Sequence, residues 1–60
     1  MTYQQKVTDL YQRAYSTFGI EMFSNKKVWR IQSGEGKFLG KGNTETMAWK
    51  NACKNLKLIP

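Results

Sequence analysis

The chain has 60 residues, with ten Lys and Arg against four Asp and Glu for a formal net charge of +6, one cysteine and no histidine. That length allows one small domain, residues 1–60, with a core of about a dozen to fifteen apolar side chains and a stability of only a few kcal/mol. A lone Cys53 excludes an internal disulfide, and no cluster of cysteine and histidine exists to hold zinc, so no metal site is expected.

A single thiol suits a reducing compartment, so a cytoplasmic location is expected. The N-terminal MTYQQKVTDL has no apolar run long enough for a signal peptide or a membrane span. The chain starts with Met and stops after its last expected helix, and so reads as a complete small protein. The excess of positive charge favours an anionic partner, nucleic acid foremost; without an apolar run long enough for a span, no membrane partner is expected.

Thr2 and Gln5 have capping-box spacing, and Val7, Leu10, Tyr11, Ala14 and Phe18 recur at three- and four-residue steps. This predicts a first helix over about residues 3–17, closed by Gly19, with Asp9 and Arg13 paired on its outer side. Tyr3, Tyr11 and Tyr15 then share one side of it, at the edge of the core. Ile20 to Phe23 reads as a short strand and Ser24-Asn25-Lys26 as a turn.

Lys27 to Gln32, KVWRIQ, is a second strand, with Trp29 and Ile31 on its buried face. Ser33-Gly34-Glu35-Gly36 is a tight turn and Lys37 to Lys41 a third strand. The connections are too short for parallel crossovers, so the strands form an antiparallel meander. Asn43 or Thr44 caps a last helix that ends near Lys57. The expected fold is α+β, in the order α-β-β-β-α: a three-stranded antiparallel sheet with two helices on one face and the other face open to solvent.

In the last helix Ala48, Ala52 and Leu56 fall on one side, with Trp49 and Cys53 beside them. Small residues there allow a close approach to the sheet, and Cys53 reads as a small buried hydrophobe. Lys50 and Lys54 lie four apart on the opposite side. With Lys41 near the helix N-terminus they form a basic stripe, opposed by Glu45 in the first turn.

The element order and the segment GKGNTETMAWKNAC resemble a double-stranded-RNA-binding domain. In that family the second helix opens with a G-x-G-x-S-K-K-x-A-K-x-x-A-A pattern. Gly40, Gly42, Thr44, Ala48 and Ala52 match it, and Cys53 stands at the last alanine. VTDLYQRA is similar to the family's first-helix pattern, with Leu10 at a core leucine and Gln12 at an RNA-facing glutamate. The resemblance implies RNA contacts by Lys26 and Lys27 in the loop between the first strands, by Lys41, Lys50 and Lys54 around the second helix, and by Thr8 and Gln12 of the first. Glu45, Thr46 and Trp49 stand where the family carries lysines, so the lysine contact motif is degenerate.

A second resemblance is to the three-stranded DNA-reading sheets of plant AP2 domains and integrase arm-binding domains, through KVWRIQ and GKFLGKGNTETMAW. It implies DNA contact by the open sheet face through Arg30 and Gln32, side chains suited to guanine and adenine edges.

Asp9, Glu21, Glu35 and Glu45 are spread over different elements, with no histidine and no ordered nucleophile. No catalytic residue and no cofactor are expected. The chain reads as a non-enzymatic module binding nucleic acid, double-stranded RNA first, mainly by phosphate contacts. The alternatives are a phage or bacterial accessory module that contacts a protein partner or a second copy of itself through Met47 and Trp49, and DNA binding by the open sheet face.

Overall fold

The computed structural model describes residues 2–59. The elements follow the expected order: α1 (Tyr3–Leu10), β1 (Tyr15–Ile20), β2 (Lys27–Gln32), β3 (Phe38–Gly42) and α2 (Glu45–Asn55). The three strands form one antiparallel sheet in the order β1-β2-β3.

α1 is capped as its sequence predicts: the Thr2 hydroxyl accepts from the Gln5 N–H at 3.1 Å. It ends at Leu10 rather than at residue 17, because Tyr11 leaves the helix in an extended conformation. Tyr15, Ser16, Thr17, Phe18, Gly19 and Ile20 pair in unbroken register with β2. The helical spacing of Ala14 and Phe18 is therefore incidental. YSTFGI is rich in aromatic and β-branched residues, and the ladder to β2 satisfies a full strand of backbone groups.

Several expectations change with this. Gly19 lies within β1, Tyr15 leaves the tyrosine side of the helix, and Arg13 sits in the turn after α1 instead of pairing with Asp9 on a helix. Of the expected strand 20–23 only Ile20 is strand. Met22 to Ser24 form the hairpin turn, closed by the Glu21 N–H donating to Lys26 O at 3.0 Å and by Asn25 at a φ of 52°.

β2 has the expected bounds, and β3 is shifted by one residue. A register irregularity between Ile31 and Gln32 sets Gly40 opposite Ile31 and Phe38 opposite Gln32, leaving Leu39 as the extra residue. Gly36, at a φ of 88°, makes the β2–β3 turn. Thr44 is the α2 cap, its hydroxyl accepting from the Met47 N–H at 3.1 Å. The helix stops at Asn55 in a Schellman closure: Leu58 donates to Cys53 O at 2.8 Å, with Lys57 left-handed at a φ of 58°.

α2 lies directly on β3. A Cβ at Gly40 would come within 2.5 Å of Ala52 N, and one at Gly42 within 2.6 Å of Ala48 N. The side-chain amides of Asn51 and Asn55 donate to the carbonyls of Lys41 (2.7 Å) and Leu39 (2.9 Å), so the helix also covers the outer edge of β3. α1 packs against α2, and Val7 joins Ile31, Leu39, Ala48, Trp49, Ala52 and Cys53 in one core. Trp29 shares the Ile31 face, half-buried against that core with its ring 5.0 Å from Phe18. The Cys53 thiol is buried and donates to Tyr3 O at 3.3 Å, and desolvation holds its pKa above the usual thiol value.

Gly40→Ala must push α2 off β3 and should cost about 1–3 kcal/mol, the range of core overpacking. Gly19→Ala, with nothing within 4 Å of the added carbon, should change stability by under about 1 kcal/mol. Urea unfolding of the two variants checks the contrast.

Candidate nucleic-acid interface

Because side chains alternate along a strand, the glycines under α2 fix which face each residue occupies. Gly40 and Gly42 pair with Ile31 and Trp29, which pair with Ser16 and Phe18. All six belong to the helix side. The opposite face carries two rows across the three strands. One is Thr17, Arg30 and Lys41; the next is Tyr15, Gln32 and Phe38.

Both helices lie behind this face. Tyr15, Arg30, Phe38 and Lys41 are exposed, and Gln32 is half-buried. The Tyr15 hydroxyl donates to Gln32 Oε1 at 2.9 Å, which orients the amide and leaves its N–H groups without a partner among the described residues.

Charge at the β1–β2 end of the face is organised by one carboxylate. Glu21 Oε1 lies 3.2 Å from Lys41 Nζ, its other oxygen accepts from the Ser24 hydroxyl at 3.1 Å, and Arg30 adds a favourable field. The hydrogen bond from Lys41, then that from Ser24, holds the Glu21 pKa below the usual carboxylate value. A lowered folded-state pKa means that this pairing is present above the unfolded value and is lost as pH falls through the folded one. Lys26 joins Glu21, Val28, Lys41, Met47 and Asn51 around an adjoining cleft of about 340 Å³. Three cations, Lys26, Arg30 and Lys41, thus share this end with one carboxylate.

The residues expected to bind are divided by the fold. Lys26, Lys41, Arg30 and Gln32 meet on or beside the open face. Lys27 belongs to the helix side of β2, in register with Ile20. Lys50 and Lys54 project from the side of α2 opposite Ala48 and Ala52, away from the sheet. The basic stripe expected from Lys41 to Lys54 is therefore broken across two sides of the molecule.

Thr8 turns its hydroxyl back to Gln5 O at 3.2 Å, and Gln12 lies in the turn after α1 instead of on a helix face. Trp49 is only 4% exposed, so it is a core residue and no contact for a partner, whereas Met47 is 43% exposed. Glu45 accepts from the Ser16 hydroxyl at 3.4 Å, tying the acidic first turn of α2 to β1.

Tyr15, Thr17 and Phe38 were missing from the expected set. The alternation of Tyr15 and Thr17 is legible once YSTFGI is taken as a strand, and Phe38 joins the row only through the irregularity at Leu39. Compared with known proteins, the chain matches no family model, no curated protein and no solved structure. Among the described residues no helix is long and apolar enough to cross a membrane.

Lys41→Met should raise the Glu21 pKa toward the ordinary carboxylate value, with the Ser24 hydrogen bond and the Arg30 charge still holding it somewhat below. NMR titration of the Glu21 side chain in the two proteins reads this as an upward shift of its midpoint.

Proposed function

We propose that this protein is a non-enzymatic nucleic-acid-binding module that reads duplex DNA with the open face of its sheet. The observation that carries the proposal is the row of Thr17, Arg30 and Lys41 beside the row of Tyr15, Gln32 and Phe38, on the sheet face opposite the packed helices. Neighbouring strands about 4.8 Å apart make a β surface of the kind that the B-DNA major groove, about 12 Å wide, admits as a ribbon. The groove of A-form RNA is too narrow to admit it. Arg30 is suited to a guanine edge, Gln32 to adenine and Phe38 to a thymine methyl. Lys26 and Lys41 serve the flanking phosphates.

The topology is compatible with a double-stranded-RNA-binding domain, and the glycine–alanine frame from Gly40 to Ala52 supports that likeness of fold. The chemistry of its RNA contacts is less well supported. Trp49 is core, Glu45 is held at the start of α2, and Lys50 and Lys54 face away from Lys26 and Lys41. The sheet-face reading uses residues that already lie together.

Glu21 has a defined part in this reading. It pairs with Lys41 at 3.2 Å, and a phosphate would compete with the carboxylate for the ammonium. Removing the carboxylate should therefore strengthen binding.

Fluorescence anisotropy with labelled duplex DNA, duplex RNA and single strands, at low and raised salt, tests the proposal. Duplex DNA should bind best, with affinity falling as salt rises. Arg30→Glu should weaken binding by about tenfold or more, the scale of one good base contact. Glu21→Gln should tighten it severalfold, and Lys54→Glu should change it little. No binding to duplex DNA at low salt, or an Arg30→Glu protein that binds like the parent, would overturn the reading.

A further inference from the structure

A buried donor in a folded chain almost always finds an acceptor, because an unpaired one forfeits its hydration for nothing. Trp49 is the exception among the described side chains. It is only 4% exposed, and its indole Nε1–H is buried without a hydrogen-bond partner. Trp49 also forms part of the wall of a cavity of about 650 Å³ built from the two helices, apart from the DNA-reading face. Side chains in a helix lean toward its N-terminus, so the indole lies back over the turn of Glu45 and Thr46. That turn borders the same cavity.

The other wall is the start of α1: Thr2, Tyr3, Gln4 and Lys6. Two helix beginnings therefore meet one space, and the first N–H groups of a helix have no partner within it. The Thr2 and Thr44 hydroxyls accept from the N–H groups of Gln5 and Met47, and the carbonyls of the same threonines accept from Lys6 and Ala48. The N–H groups of Tyr3, Gln4, Glu45 and Thr46 are left without an acceptor among the described residues. All four of these residues line the cavity.

Charge and shape narrow the occupant. Unpaired N–H groups and the positive ends of two helix dipoles favour an anion. Among the described residues Lys6 brings an ammonium to the cavity and Glu45 a carboxylate, which accepts from the Ser16 hydroxyl at 3.4 Å. One charge of each sign leaves room for a single negative group and opposes a polyanion. The rings of Tyr3 and Trp49 suit an apolar body beside that group.

We propose that this cavity is a binding site for a small organic monocarboxylate. Its oxygens accept from the N–H groups at the two helix starts, from Lys6 and from the Trp49 indole. A ring buried this deeply meets no macromolecular partner, but a small acceptor inside the cavity supplies what its N–H lacks.

Titration of the isotope-labelled full chain with sodium benzoate, followed by NMR of its N–H groups, tests this. The Trp49 indole and the amides of Tyr3, Gln4, Glu45 and Thr46 should shift saturably with one affinity. The indole of Trp29, which does not line the cavity, should stay in place. Benzamide, of the same shape without the charge, should bind about tenfold more weakly, the scale of one charge-assisted hydrogen bond. Lys6→Met should weaken benzoate binding by a similar factor.

No saturable shift at the Trp49 indole overturns the proposal, as does benzamide binding as tightly as benzoate or a Lys6→Met protein that binds like the parent. If Lys6→Met fails to fold, the contrast between benzoate and benzamide on the parent decides. Arg30→Glu, directed at the DNA-reading face, should leave the benzoate titration unchanged, which keeps failure of this site distinct from failure of DNA binding. A benzoate affinity that falls with Arg30→Glu would put the anion on the sheet and overturn the assignment.

Discussion

The backbone of α2 rests on the backbone of β3, and the remaining architecture follows from that contact. Glycine at positions 40 and 42 removes the side chains that would hold the two elements apart, and Ala48 and Ala52 fill the narrowed space. At that separation the amides of Asn51 and Asn55 reach the strand's outer carbonyls. One helix thus covers part of a face and an edge together. With that side sealed, Trp49 and Cys53 turn inward to meet Val7 and the core, and Tyr15, Arg30, Phe38 and Lys41 are left exposed on the opposite face of the sheet.

This division also sorts the charges. Helix packing takes the side that carries Trp29, Ile31, Gly40 and Gly42, so Arg30, Gln32 and Lys41 emerge on the other side, whereas Lys50 and Lys54 emerge behind the helix. Along the helix the lysines look like one continuous stripe with Lys41, because adjacency in sequence spans a strand-to-helix turn that reverses direction. In space Lys41 belongs with residues of β2 and with Glu21, twenty positions earlier in the chain. The carboxylate that most affects Lys41 is one no local pattern would pair with it.

β2, the turn around Gly36, the Thr44 cap and the glycine–alanine frame of α2 were all legible, because each rests on residues within one or two turns of chain. The boundary between α1 and β1 was not. Ala14 and Phe18 satisfy a helical period, and what overrides it is the ladder from Tyr15–Ile20 to a partner strand that begins at Lys27. The candidate interface inherited the same obscurity. Arg30 and Gln32 could be read from the alternation of KVWRIQ, while Tyr15 and Thr17 were hidden inside the assumed helix. Phe38 was hidden by the extra residue at Leu39, which changes the facing of everything before it.

The contact between α2 and β3 also governs where the molecule can deform. Glycines set against alanines leave no long side chains between helix and strand to act as a sliding layer. Translation or rotation of α2 would drive peptide units into one another. The strand and helix therefore move as one stiff plate, with the Asn51 and Asn55 hydrogen bonds acting as rivets. The β1–β2 hairpin has no such backing at its far end, where Met22 and Phe23 stand in solvent. Bending is thus easiest at the hairpin tip, while the plate keeps its shape.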